Sequence, residues 1–69
     1  MTRQQVHDIC RDAIESRGYQ ALSIEVRDRI LDGVAYPDEI NWIVDLQVVI
    51  DGVSTWCAWC VDPITGVIS

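Results

Sequence analysis

Cys57-Ala58-Trp59-Cys60 has the C-x-x-C spacing that elsewhere marks a dithiol redox pair or half of a zinc site. Its surroundings argue against both. The residues belong to a run that alternates like a β-strand, and strand residues three apart project to opposite faces, so the two sulfurs diverge. A second ligand pair is missing, because the single His is His7 and the remaining Cys is Cys10. His7 and Cys10 are three apart on a helical pattern, but two ligands do not hold a metal. No Ser or Cys nucleophile is poised beside the imidazole. The expectation is three free thiols, with Cys10 and Cys57 as small core hydrophobes and Cys60 partly exposed, as in a reducing compartment. Paired carboxylates could serve a glycosidase, yet a 69-residue sheet with one helix offers little concave volume around a substrate. No catalytic residue, cofactor or metal is expected.

The carboxylates carry the other candidate chemistry. Eleven Asp and Glu stand against five Arg and no Lys, a net charge of −6. So negative a surface repels phosphate backbones, which argues against direct nucleic-acid binding. Asp8, Asp12 and Glu15 fall at i, i+4 and i+7, one stripe along the solvent side of a helix that Arg11 only partly interrupts. Asp32, Asp38 and Glu39 crowd a loop, while Glu25 and Asp45 project from an uncovered sheet face. Solubility alone accounts for acids of this number. The sharper reading is electrostatic mimicry: carboxylates one helical turn apart, or two residues apart on a strand, are spaced by roughly 5 to 7 Å, comparable with neighbouring phosphates along a nucleic-acid strand. Trp56 adds an aromatic on the uncovered face near Ile43, Gln47 and Cys60, and tryptophan anchors interfaces because it buries much area at low entropic cost. The plainer alternative is that the terminal segment or a dimer mate covers it.

These residues need a framework, and the hydrophobic pattern supplies one. Thr2 and Gln5 have capping-box spacing, Val6, Ile9, Cys10, Ala13 and Ile14 line one helical stripe, and Gly18 follows Arg17 as a left-handed stop. That predicts a helix over 3–17. From Leu22 the period changes to two, with Leu22, Ile24, Val26 and Ile30 alternating with Ser23, Glu25, Arg27 and Arg29 in a half-buried strand. Asp28 falls on its apolar side, where proximity to the helix N-terminus and Arg3 would give the carboxylate a structural role; a bulge turning it to water is the alternative. Asp32 to Glu39, with Pro37, reads as a connecting loop. A second strand over 40–50 and a third from Val53 flank Asp51-Gly52, the signature of a two-residue type I′ hairpin. That turn sets Ile50 opposite Val53 and Trp42 opposite Val61, with one face apolar throughout. Asp62 to Gly66 is a final turn before a short terminal strand, Val67-Ile68-Ser69. The architecture expected is a single α+β domain over 1–69, one amphipathic helix on a three- to four-stranded antiparallel meander.

The last thirty residues, from Ile40-Asn41-Trp42-Ile43-Val44-Asp45-Leu46 through Val61-Asp62-Pro63-Ile64-Thr65-Gly66-Val67-Ile68, resemble the closing half of a PepSY-type module. That family ends in a similar hairpin and a V-D-x-x-T-G-x-V turn, matched here at Val61, Asp62, Thr65 and Gly66, with Ile68 in place of the last hydrophobe. The resemblance implies a binding module that contacts or restrains a peptidase through its open sheet face. PepSY modules are mostly extracytoplasmic, whereas residues 1–8 here carry no apolar export segment and no run reaches the length of a membrane span. The expected location is therefore cytoplasmic, the host cytoplasm if the protein is phage-encoded. In size, acidity and compact α+β plan the chain is similar to phage anti-CRISPR inhibitors of the DNA-mimic type. This second resemblance implies a non-enzymatic inhibitor, a monomer or weak dimer, that docks its carboxylates on a basic CRISPR effector subunit and blocks target DNA binding.

Overall fold

In a computed structural model, which describes all residues except Tyr36 and Asp38 and, at Leu31, the backbone alone, the chain opens with helix α1 over Arg3–Ser16. Thr2 and Gln5 form the capping box the sequence predicts: the Gln5 amide N–H donates to Thr2 Oγ1 at 3.2 Å and the Thr2 N–H donates to Gln5 Oε1 at 2.8 Å. Arg17 caps the other end, one residue earlier than the sequence predicts, and Gly18 follows at φ 75°. Val6, Cys10 and Ile14 are fully buried on one stripe of the helix.

Strands β1 (Gln20–Val26), β4 (Trp42–Ile50) and β5 (Val53–Val61) form an antiparallel sheet in the order β1-β4-β5, and β2 (Ile30–Leu31) pairs with β3 (Val34–Ala35) in a separate small hairpin. The β4–β5 register is the predicted one throughout, from Ile50 opposite Val53 to Trp42 opposite Val61. Asp51 at φ 51° and Gly52 at φ 78° provide the positive backbone angles a type I′ turn demands. The helix packs on the face bearing Val44, Leu46 and Val48, which with Val26 and Val61 complete the buried core. Ala21, Ile24, Trp42, Ile50, Cys57, Trp59 and Ile68 pack around it. The result is the two-layer α+β domain expected from the pattern.

Five expectations need correction. The first strand begins at Gln20 and ends at Val26 rather than running from Leu22 to Ile30. Its register with β4 shifts between Ala21 and Ser23, so the bulge turns Leu22 outward to 49% exposure while Ala21 and Ile24 face the core. Ile30 lies in β2 and is 64% exposed. The Asp32 to Glu39 segment is not loop throughout, because Asp32 and Gly33, at φ 52° and 77°, close the β2–β3 hairpin. β4 starts at Trp42, two residues after the predicted start, leaving Ile40 exposed. Nor is the apolar face covered throughout: the helix lies over β1 and β4, so Val53 and Thr55 on β5 are exposed. The terminal strand is reduced to a bridge between Val61 and Ile68, with Cys60 and Ser69 exchanging backbone hydrogen bonds.

Candidate functional site

Because 3.6 residues complete a turn, positions 8, 12 and 15 lie on the side of α1 opposite the 6, 10, 14 stripe. Asp8, Asp12 and Glu15 are all exposed there, on the outer surface of the helix layer. Asp8 accepts from Gln4 Nε2 at 2.9 Å and lies 3.7 Å from His7 Nδ1. Among the described residues, no guanidinium forms an ion pair with any of the three. The stripe is thus a row of solvated carboxylates about 6 Å apart per helical turn along a rigid rod.

The remaining predicted acids do not join it. Glu25 and Asp45 are direct neighbours across β1 and β4 on the uncovered face, away from the helix. Two carboxylates in that position would repel, and Arg27 relieves this by gripping Asp45 through Nε at 2.8 Å and a second nitrogen at 2.9 Å. The same hydrogen bonds hold the Asp45 carboxyl below its ordinary range. Asp45 therefore presents little net charge to a partner, whereas Glu25 remains exposed. Asp32 sits at the β2–β3 turn and Glu39 in the loop that follows, both exposed. Asp38 lies outside the described residues.

Four of the five arginines are engaged away from the helix stripe, whereas the fifth, Arg11, is exposed on α1 beside it with no ion pair among the described residues. Arg3, at the start of α1, reaches the Val26 carbonyl and pairs with Asp28, giving Asp28 the position beside the helix N-terminus that its sequence context suggests. Asp28 is nevertheless exposed and lies beyond β1, so this is a surface tie. Arg17 stacks over Trp59 and Arg29 over Trp42, at 4.8 and 4.9 Å from the ring centroids. The sequence reading gave these two arginines no such role. Each Trp follows the strand parity of the helix-covered face, which was the available signal.

On the opposite face, Trp56 is 67% exposed beside Gln47, which donates to Ser54 Oγ at 2.9 Å. Ile43 and Cys60 are cross-strand partners on the same face. Cys57 belongs to the covered face and packs against the core, so the two sulfurs of the C-x-x-C segment are on opposite sides of β5, and all three cysteines are free. Among the described residues no three His, Cys, Asp or Glu side chains converge as a metal-binding group. His7 is half-buried at the helix margin, between shallow grooves that the helix forms with β1. Among the described residues no helix is long and apolar enough to cross a membrane. Compared with known proteins, the chain matches no family model, no curated protein and no solved structure.

Proposed function

We propose that the protein is a non-enzymatic inhibitor that docks the outer face of α1 on a cationic surface of a nucleic-acid-handling complex, a CRISPR effector subunit in the first instance, and excludes target DNA from it. The observation that carries this reading is the segregation of Asp8, Asp12 and Glu15 opposite the buried stripe, solvated and, among the described residues, paired with no guanidinium. A straight helix offers those charges at a fixed spacing, so a lysine- and arginine-lined DNA channel meets them without reordering its own side chains. Glu25, Asp32 and Glu39 contribute long-range attraction from other sides of the molecule, while Asp45 is neutralised by Arg27.

Replacing Asp8, Asp12 and Glu15 together by Lys tests the assignment, with displacement of duplex target DNA from purified effector complexes as the readout. All three side chains face water, so circular dichroism and melting should remain close to those of the parent. The variant is expected to lose inhibition by at least about a hundredfold, since close charge pairs across an interface couple by about 1.5 kcal/mol or more each. A folded triple variant that still displaces DNA removes the helix face from the site.

A second reading is favoured by the exposure of Trp56 on the uncovered sheet face. There the protein is a PepSY-like module holding a peptide or a peptidase against that aromatic. Trp56→Ala would then weaken peptidase binding by about 1 to 2 kcal/mol, and the native protein would leave target DNA bound to the effector complex.

A further inference from the structure

The two edges of the sheet are guarded unequally. β1 carries a bulge at Leu22 and an exposed charge at Glu25, with Arg27 just beyond, and its Val26 carbonyl is occupied by the Arg3 guanidinium. Each of these blocks the addition of another strand. β5 has none of them. Its sequence, VSTWCAWCV, contains no charged residue and no proline, and its register with β4 is unbroken along all nine pairs. In a chain of charge −6 it is a long uncharged segment with an open edge.

The direction of each backbone group on that edge follows from one pair of bonds. Cys60 donates to the Ser69 carbonyl at 3.2 Å and accepts from the Ser69 N–H at 2.9 Å, so its backbone groups point away from β4. Antiparallel ladders alternate, and the groups of Ser54, Trp56 and Ala58 therefore point the same way. Among the described residues no strand pairs with them. The hairpin at Asp51-Gly52 and the Ser69 contact at Cys60 delimit this open stretch.

We infer that a second copy of this chain fills the edge, antiparallel to the first about a two-fold axis at Trp56, and joins the two sheets into one continuous six-stranded sheet. The outward residues are disposed symmetrically about Trp56, so the axis sets Ser54 opposite Ala58 of the second copy and Trp56 opposite its counterpart, satisfying every open backbone group at once. No carboxylate lies on the strands that meet, so the approach avoids the repulsion that opposes contact through the acidic faces. The paired Trp56 rings, each 67% exposed in a single copy, would lie side by side on the uncovered face. The outer face of α1 is left free, so this inference stands or falls separately from the docking reading.

The register makes a covalent test possible. On the helix side, Thr55 would face Cys57 of the second copy as a non-hydrogen-bonded pair with Cα atoms about 4.5 Å apart, inside the range a disulfide spans. Thr55→Cys, treated with oxidised glutathione, is expected to give a dimer on a non-reducing gel, with the linkage mapped between position 55 and Cys57. Adding Cys57→Ser should abolish it. A folded Thr55→Cys variant that stays monomeric, or a linkage that maps only to Cys60, overturns the proposed register. Sedimentation of the native chain provides the second reading: concentration-dependent dimerisation, weakened at least about tenfold by Trp56→Lys with the fold retained, is expected. A native chain that remains monomeric up to its solubility limit overturns the pairing and leaves the edge to an extended segment of another protein.

Discussion

Cys10 illustrates how burial sets reactivity one residue at a time. Its side chain is shut off from solvent beneath α1, and loss of hydration of the thiolate pushes the thiol up from 9.0 to about 11. In the native protein at pH 8, iodoacetamide should modify Cys57 and Cys60 well before Cys10, with the order read by peptide mass spectrometry. Equal rates for all three would contradict the burial. Because the folded pKa is raised, the unfolded chain releases this proton first as pH rises, so the contribution of the protonated thiol is intact below about pH 9 and falls away toward pH 11. Asp62 has the opposite sign. It accepts from the Thr65 amide at 2.9 Å and the Ile64 amide at 2.8 Å, and these bonds lower its pKa below the usual 3.8. The final turn is thus supported above about pH 4 and loosens as pH falls through the depressed value, which faster amide exchange at Ile64 and Thr65 would report. Asp62→Ala should reproduce that loosening at neutral pH.

At the scale of elements, the β4–β5 hairpin supplies most of the sheet's share of the core, with Val44, Leu46, Val48 and Val61 all buried. Leu46→Ala should cost about 2 to 5 kcal/mol in urea unfolding, because it empties a site under the helix that neighbours cannot readily fill. Gly52→Ala should cost about 1 to 2 kcal/mol, since an L side chain resists φ of 78° although the space around Gly52 is open. This hairpin was legible residue by residue, because Asp51-Gly52 fixes the register and strand parity then assigns every side chain to a face. The helix was equally legible from its capping box and apolar stripe. Asp32-Gly33 is the same dipeptide and closes a hairpin too, but its flanks provide only two pairs, too few for an alternating pattern to stand out. The β1 bulge was illegible for a different reason. Leu22 fits a period-two pattern with Ile24 and Val26, and only the pairing with β4 shows that one residue is skipped. For the candidate site, sequence spacing was sufficient to place the helix stripe, whereas the neutralisation of Asp45 by Arg27 depends on tertiary proximity.

Taken whole, the molecule separates its surfaces. The helix layer turns solvated carboxylates outward, the opposite sheet face presents Trp56 with the Arg27–Asp45 pair, and β5 leaves an uncharged edge between them. Two copies joined along that edge would carry both acidic helix stripes on the same side of a continuous sheet, which suits an extended cationic channel. The proposed activity is electrostatic at its centre, so ionic strength tests it most directly. The measurement is the inhibition constant for displacement of duplex target DNA from a purified CRISPR effector complex, taken at increasing salt, with DNA affinity measured alongside at each step. Inhibition that weakens by at least about tenfold between 50 and 300 mM salt, after correction for the change in DNA affinity, is the predicted result. Inhibition that persists unchanged across that range, or target DNA that stays bound at every concentration of the protein, would contradict it.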